Sequence, residues 1–395
     1  MNINTRDMNF VKFNGQDMDW VKFNGDLVWE NFKELTAQGI PPITLQKCKN
    51  TNMLGYKAYG NSVQNGTPTP DVPIEIQSVG EQSKNLLNSA LISGCRLFRN
   101  GVYNDYPGYV CNEKYIPVVA GETYTISAEG YTPTTDSGFV FFKNDTFVSA
   151  LPTNSKTVTI PSGVNQLYYN FRDTNNPSSD PATIINPQFE LGSSATTYEK
   201  AGYKIPITVT DSNNVTTTTN IYLDAPLRKL GNYSDYIDFE AQKVFRRISK
   251  NIFDGKNMKV ANLITRYTDY TRFGTYQFSP RNLMSTQVEK CNLLRYSSSP
   301  NGFIVGGNSS ASLYLYDSLI NITADDDTNA KKIEKANVWL RSLDNTLAIW
   351  YVMNTETEES ITLPDILLNK GTNIISVDTD ITPSNMWIKY KGKGA

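Results

Sequence analysis

The phrase Val-Lys-Phe-Asn-Gly occurs twice near the start of the chain, at Val11–Gly15 and again at Val21–Gly25. Asn-Gly supplies the two positive-φ positions that a type I′ hairpin turn requires. The repeat therefore predicts a meander of three strands, over 10–13, 17–23 and 27–32, joined by two tight turns.

Three short strands bury little apolar surface by themselves. We therefore expect residues 1–33 to dock on a partner or on other copies of the chain, with a plain small β domain as the alternative. The predicted docking side chains are aromatic residues of these strands, namely Phe13, Trp20, Phe23 and Trp29.

The 395 residues include no histidine, which removes several kinds of chemistry. Ser-His-Asp and Cys-His nucleophiles, histidine-liganded zinc and a histidine general base are all excluded. The four cysteines, Cys48, Cys95, Cys111 and Cys291, form no Cys-x-x-Cys pair. Their spacing fits neither a zinc site nor a disulfide framework, so we interpret them as buried thiols. A bridge between Cys95 and Cys111 is the alternative.

The formal net charge is −2, and the lysines and arginines are scattered along the chain. Nucleic-acid binding needs a basic patch, so we do not expect it. No stretch approaches the roughly 20 apolar residues of a membrane-spanning helix, and residues 1–7 lack the apolar core of a secretion signal. We expect a protein made in a cytoplasm, without membrane insertion. Gly306-Gly307 is not followed by a phosphate-binding loop, and no cofactor is expected.

Short runs rich in Tyr, Phe, Thr and Val are separated by Gly, Pro or Asn, and this pattern predicts an all-β protein. Prolines favour an extended linker with edge strands over 34–83. The alternating runs of 84–200 predict a jelly-roll sandwich, and residues 201–395 predict a C-terminal β domain. One helix is expected in that domain, over Ala330–Leu340. Its predicted apolar stripe comprises Ile333, Ala336, Val338 and Leu340.

Several phrases resemble those of minor structural proteins of tailed bacteriophages that infect Gram-positive bacteria. They are Leu27–Glu30, Tyr59–Pro70, Leu227–Gly231 and Asp235–Phe239. Pro187–Gly192, with Thr196–Glu199 after it, is similar to the closing strand of the carbohydrate-binding-module-like jelly rolls in such proteins. The resemblance implies a β-rich tail or baseplate protein that assembles with other virion proteins, commonly as a trimer or another ring. The chain has no long coiled coil or repeated shaft, so we do not expect an extended fibre.

The run Leu167–Arg172 carries candidate sugar-binding residues. Strand alternation predicts a core face of Leu167, Tyr169 and Phe171 and an outer face of Tyr168, Asn170 and Arg172. A saccharide site combines a ring that stacks on the sugar with an amide and a guanidinium that bind its hydroxyls. Tyr106, between Tyr103 and Tyr109, is expected in an aromatic loop beside this face. The alternatives are a solvated sheet face and aromatic rings packed under the sandwich rim.

Acidic residues offer little for catalysis or metal binding. Asp235, Asp238 and Glu240 are the best candidates for a glycosidase pair, but we interpret them as a solvated face. Asp325-Asp326-Asp327 lacks the glycine and the spacing of an EF-hand, so charges at a helix N-cap explain it better than calcium. No catalytic residue and no metal ligand is predicted.

Together these expectations describe a non-enzymatic virion protein of the tail or baseplate that self-assembles and mediates attachment. One alternative is a receptor-binding protein that recognises a host cell-wall glycan. The other is a polysaccharide depolymerase that uses carboxylates without histidine.

Overall fold

Most of the chain's short alternating runs form β-strands. The computed structural model describes residues 57–98, 102–172, 180–211, 213–275, 288–306, 310–343, 346–364 and 373–377, with short strands before residue 57 and at 283–284 and 387–389. Side chains are described from residue 57 onward, except at 94–98, 102–107, 211, 283–284, 306, 310, 373–376 and 387–389. Strands account for 51% of the residues and there is one α-helix in the described part, which confirms the all-β class.

Five short strands lie before residue 57. They are β1 (Val11–Phe13), β2 (Gln16–Met18), β3 (Trp20–Phe23), β4 (Asp26–Glu30) and β5 (Asn52–Leu54). β1 pairs with β2 across the first Asn-Gly, and β3 pairs with β4 across the second, both antiparallel as predicted. The single strand predicted over 17–23 is wrong, because this stretch is divided between β2 and β3. The predicted docking side chains lie outside the described residues.

Four short strands follow within 57–82, the region predicted as a linker with edge strands. They are β6 (Lys57–Tyr59), β7 (Ser62–Val63), β8 (Gln77–Ser78) and β9 (Glu81–Gln82). β7 pairs with β8, whereas β6 and β9 pair with strands that come much later in the chain.

The central unit consists of two packed sheets. Its strands are β10 (Leu91–Phe98), β11 (Val102–Asn112), β12 (Ile116–Pro117), β13 (Thr123–Glu129), β14 (Gly138–Lys143), β15 (Thr146–Pro152), β16 (Thr157–Thr159), β17 (Gln166–Phe171) and β18 (Ile185–Leu191). The larger sheet has the order β10-β11-β17-β14-β15, with β12 also on β17, and the smaller has the order β16-β13-β18. Phe139 and Leu167 of the larger sheet share one core with Ile126 and Phe189 of the smaller.

The remaining strands form the C-terminal body. They are β19 (Tyr203–Asp211), β20 (Thr216–Leu223), β21 (Lys229–Leu230), β22 (Tyr233–Ser234), β23 (Tyr236–Asp238), β24 (Lys243–Phe253), β25 (Val260–Arg266), β26 (Tyr270–Thr275), β27 (Leu283–Met284), β28 (Lys290–Cys291), β29 (Arg295–Tyr296), β30 (Gly302–Gly306), β31 (Ser310–Tyr316), β32 (Leu347–Ser360), β33 (Asn373–Val377) and β34 (Trp387–Lys389). Helix α1 (Asn329–Ser342) precedes β32. The sheets β27-β32-β24-β23-β6 and β25-β26-β31-β30-β29 enclose the largest core together with α1.

Strands on both sides of the central unit meet in the body. Lys57 of β6 lies opposite Asp238 of β23, and Gln82 of β9 lies opposite Tyr203 of β19. β5 likewise pairs with β34 near the other end of the chain. The central unit is therefore inserted between two segments that complete each other's sheets.

A buried amide holds the two ends of the central unit together. Asn85 is 2% exposed, and its Nδ2 donates to the carbonyls of Pro187 and Glu199, at 3.0 Å each. Its Oδ1 accepts from the N–H groups of Leu87 (3.0 Å) and Phe189 (3.1 Å). All four hydrogen-bonding positions of the amide are thus filled by backbone groups from the two ends.

Helix α1 begins where the sequence predicts and buries a different stripe. Thr328 is the N-cap, and its hydroxyl accepts from Lys331 N–H at 3.3 Å. Ala336 and Leu340 are buried as predicted, but Val338 is 49% exposed and its neighbour Trp339 is buried instead. The prediction for Val338 is wrong because the buried face follows Trp339, whose larger ring packs into the core. Among the described residues, no helix is both long and apolar enough to cross a membrane.

Candidate functional site

The alternation predicted for β17 is confirmed on its core face. Leu167, Tyr169 and Phe171 are at most 1% exposed and lie in the core of the central unit. Tyr169 Oη lies 3.1 Å from Tyr131 Oη, and burial raises the pKa of Tyr169 well above its usual value. The opposite face of β17 therefore points away from the core between the two sheets.

The predicted outer residues do not form one open row. Tyr168 is half-buried, and its Oη donates to the carbonyl of Glu113 at 3.4 Å. Asn170 is fully buried at 0% exposure, so its amide is not at the surface. Arg172 is half-exposed; its guanidinium lies 4.8 Å from the ring centroid of Tyr109 and donates to Tyr109 Oη at 2.8 Å. Asp136 lies 3.7 Å from the same guanidinium.

The predicted aromatic loop is wrong, because residues 103–109 lie within strand β11. Tyr109 is fully buried under Arg172. The side chain of Tyr106 lies outside the described residues. Arg172 and Tyr168 therefore lie in two separate parts of this sheet face.

Four aromatic rings lie together around Tyr168 on the outer face of the larger sheet. We define Tyr115, Phe142, Phe147 and Tyr168 as the outer aromatic patch. The ring centroid of Tyr115 lies 4.5 Å from that of Tyr168 and 5.1 Å from that of Phe142. Phe147 lies 5.9 Å from Phe142. Tyr115, Phe147 and Tyr168 are partly exposed, and Phe142 is buried beneath them.

Polar groups border the outer aromatic patch at the β14–β15 turn. Asp145 N–H donates to Gln166 Oε1 at 2.7 Å, and Gln166 Nε2 donates back to Asp145 Oδ1 at 3.0 Å. The turn is tight, with positive φ at Asn144 and Asp145, which these residue types tolerate. Burial, then Tyr168 and Asp145, raise the pKa of Tyr115 to about 12. Tyr115 therefore stays protonated at neutral pH and can donate a hydrogen bond.

Sequence reasoning missed most of this patch. Gln166 could have been found, because it lies two residues before Tyr168 and the same alternation places both on one face. Tyr115 and Phe147 could not, since each reaches Tyr168 through strand pairings that no local pattern encodes. Asp145 joins them only because the β14–β15 hairpin closes beside Gln166.

The hairpin that carries Asp145 also touches the C-terminal body. Asn144 Nδ2 donates to the carbonyl of Arg341 at 2.9 Å, at the end of α1. Lys256 Nζ donates to Thr146 Oγ1 at 3.3 Å. The outer aromatic patch thus lies on a sheet that is held at its turn by the body and at its chain ends by the Asn85 amide.

The interpretation of Asp235 as a solvated residue is wrong. Asp235 is fully buried and accepts backbone N–H bonds from Arg228 (3.1 Å), Arg247 (2.8 Å) and Ile248 (2.9 Å). Arg246 Nη1 lies 3.5 Å from its Oδ2. The pKa of Asp235 is raised, because burial outweighs the opposing effect of Arg246 and the three N–H groups. These contacts hold the β-bulge between Arg246 and Ile248, so the carboxylate has a structural role.

The other acidic candidates also make local contacts. Asp238 Oδ1 accepts from the N–H groups of Glu240 (3.1 Å) and Ala241 (2.9 Å), and its Oδ2 lies 3.4 Å from Lys57 Nζ. Asp326 binds Lys335 Nζ at 2.7 Å and accepts from Thr323 N–H. Across the described part of the chain, no group of three or more Cys, Asp or Glu side chains is placed to hold a metal ion.

The cysteines differ from one another. Cys291 is a buried free thiol, as predicted, and burial raises its pKa to about 12. Cys111 is disulfide-bonded, so its interpretation as a thiol is wrong. Cys111 lies against the underside of the outer aromatic patch, beside Val140.

No family model, curated protein or solved structure matches the chain.

Proposed function

We propose that the chain is a non-enzymatic attachment protein of a phage tail or baseplate, and that its central unit binds a saccharide. The observation that carries the saccharide proposal is the outer aromatic patch, where partly exposed rings lie beside an amide and a carboxylate. The virion setting rests on the resemblance of the quoted phrases. On a virion, the outer aromatic patch would contact a glycan of the host cell surface.

The chemistry of the patch suits a sugar. An aromatic ring stacks on the apolar face of a pyranose, and such contacts contribute about 1 kcal/mol each beyond area burial. Gln166 and Asp145 supply hydrogen-bonding atoms at the edge of the rings, and the Tyr115 hydroxyl is a donor at neutral pH. Rings that pack on one another keep their orientation in the free protein, which reduces the ordering cost of binding.

Contacts of the best acidic candidates favour binding over hydrolysis. A glycosidase needs two carboxyl groups about 5 to 10 Å apart on either side of a sugar bond. Asp235 is buried among backbone donors, and Asp238 holds a turn and pairs with Lys57. Release of reducing ends from bacterial cell wall would contradict this part of the proposal.

A glycan array tests the saccharide proposal directly. Full-length protein is applied to printed bacterial cell-wall and capsular glycans, beside Tyr168→Ala and Tyr115→Ala. Loss of one ring should weaken binding about fivefold, from about 1 kcal/mol. Tyr198→Ala is the matched control, because Tyr198 is 44% exposed and lies outside the patch. Equal binding by the wild type and both patch variants, with all proteins folded, would refute the proposed role of the patch.

Attachment to the particle is proposed to run through residues 1–33, which contain the paired strands β1–β2 and β3–β4 and a sequence rich in aromatic residues. Self-assembly as a trimer or another ring is part of this proposal. Particles assembled with a chain that lacks residues 1–33 should contain little of it, although the central unit and the body still fold. Incorporation at the wild-type level would show that attachment lies elsewhere.

A further inference from the structure

A second cluster of tyrosines lies in the C-terminal body, on the outer face of the sheet β25-β26-β31. We define Tyr267, Tyr270, Arg272, Tyr314 and Tyr316 as the tyrosine–arginine face. Tyr270 lies opposite Tyr316 and Arg272 lies opposite Tyr314 in the β26–β31 register. The alternating residues Phe273, Leu313 and Leu315 are buried in the core of the body.

Two of these rings are well exposed, whereas the Tyr314 ring is 4% exposed and lies under the Arg272 guanidinium. Tyr267 is 42% exposed and Tyr316 is 37% exposed. The Tyr267 and Tyr270 rings are stacked, with centroids 4.3 Å apart and planes 13° apart. Solvent-facing positions of an antiparallel sheet are usually polar, so several tyrosines on one outer face are unusual. Tyrosine and arginine are residue types that are enriched where proteins bind their partners.

The face is held in place by a buried carboxylate. Asp317 is 8% exposed; it accepts from Thr271 Oγ1 at 2.7 Å and lies 3.3 Å from Arg266 Nη2. Its own N–H donates to the carbonyl of Asp269 at 3.0 Å. These contacts tie the 266–270 turn to the end of β31. The stacked tyrosines are therefore ordered before any ligand arrives, which favours affinity.

Arg272 supplies hydrogen-bond donors in the middle of the face. Its Nε and Nη2 lie 3.3 and 3.1 Å from Ser312 Oγ, and its guanidinium carbon lies 5.5 Å from the Tyr314 ring centroid. Ser312 uses only one side of the guanidinium, and Nη1 has no hydrogen-bond partner among the described residues. A fixed, half-exposed guanidinium of this kind can bind a hydroxyl or a carboxylate.

An amide borders the same face. A side chain at Gly274 would place its Cβ 2.2 Å from Asn262 Oδ1 and 3.2 Å from Ile264 Cδ1. The glycine therefore leaves room for the Asn262 amide and the Ile264 side chain to lie over the sheet. Aromatic rings, a guanidinium and an amide therefore occur together on this face, whereas the outer aromatic patch combines rings with an amide and a carboxylate.

We propose that the tyrosine–arginine face is a second saccharide-binding site, separate in the fold from the outer aromatic patch. A nucleic acid fits less well, because Arg266 is paired with Asp317, Asp269 is exposed beside the turn, and the chain carries a net charge of −2. Two sites on one chain would bind a polymeric glycan with a much higher avidity than either site alone.

The test uses full-length protein on the same array of bacterial cell-wall and capsular glycans. One variant carries Tyr168→Ala and Tyr115→Ala, a second carries Tyr267→Ala and Tyr316→Ala, and a third carries all four changes. Tyr198→Ala is again the control for an exposed tyrosine. The first variant should keep a measurable signal on at least one glycan. The second should bind that glycan about 25-fold more weakly than the wild type, since two rings are lost, and the third should lose the signal.

The outcomes separate this site from the one proposed in the central unit. Equal signals for the wild type and the second variant overturn the second site and leave the first intact. Loss of all signal in the first variant also overturns the second site. Equal signals for the first variant and the wild type, with loss in the second variant, overturn the first site only. No signal on any glycan overturns both, as does capture of a protein by this face without glycan binding.

Discussion

Replacing Asn85 by alanine should destabilise the central unit strongly. The amide makes four hydrogen bonds to backbone groups, each 3.0 to 3.1 Å long, in a position that is 2% exposed. Each bond contributes about 1 kcal/mol net, so the free energy of unfolding should fall by about 4 kcal/mol. With a urea dependence of about 2 kcal/mol per molar, the unfolding midpoint should fall by about 2 M.

Tryptophan positions allow the central unit to be followed separately. All five tryptophans lie outside residues 84–200, and Trp339 and Trp350 are buried in the body. Circular dichroism in the tyrosine region follows the central unit together with the body, whereas tryptophan fluorescence does not report on the central unit. We expect Asn85→Ala to lower the urea midpoint measured by circular dichroism and to leave the midpoint measured by fluorescence nearly unchanged.

Two variants control for side effects of the substitution. Asn85→Asp keeps the shape but places an oxygen against the carbonyls of Pro187 and Glu199, so it should also destabilise. Asn88→Ala, three residues away and exposed, should leave the midpoint unchanged. A shift below about 0.5 M for Asn85→Ala would refute the assignment of about 1 kcal/mol to each of these bonds.

Two further predictions concern the body and the edge of the central sheet. The hydrogen bond from Lys335, aided by Thr323, lowers the pKa of Asp326 to about 2 from 3.8. This carboxylate therefore adds stability above about pH 4 that is lost as the pH falls towards 2. Urea unfolding at pH 5 and pH 2 should show a smaller difference between Asp326→Asn and wild type at the lower pH; an equal difference would contradict this. Gly138→Ala would place its Cβ 2.3 Å from the carbonyl oxygen of Leu151 on the paired strand. It should destabilise the central unit by about 1 to 3 kcal/mol, and an unchanged urea midpoint would show that β15 can move away at little cost.

The sequence predicted those features that depend on local periodicity. The core residues Tyr169 and Phe171 follow from alternation along one strand, and the β1–β2 and β3–β4 pairings follow from the two Asn-Gly phrases. Helix α1 follows from its charged and apolar pattern and its N-cap. In each of these cases neighbouring residues decide the structure.

Features that depend on distant pairing were not predictable. Alternation places Asn170 on the outer face correctly, but it does not say that this position is covered and fully buried. The sequence around Asp235 is that of a surface carboxylate. Its burial depends on the bulge in β24, which directs two backbone N–H groups to its Oδ1. Tyr115 becomes part of a site only because the 115–117 segment lies beside β17.

The insertion of the central unit also sets an order for folding during synthesis. Lys57–Tyr59 has its partner strand at Tyr236–Asp238, about 180 residues later, and at 5 to 20 residues per second the ribosome needs roughly 10 to 35 s to supply it. The central unit finds all its strand partners within its own contiguous segment and can fold during this interval. Because its two ends then lie side by side at Asn85, the folded unit brings Gln82 close to Tyr203. The long loop that the body must close is thereby shortened before the body begins to fold.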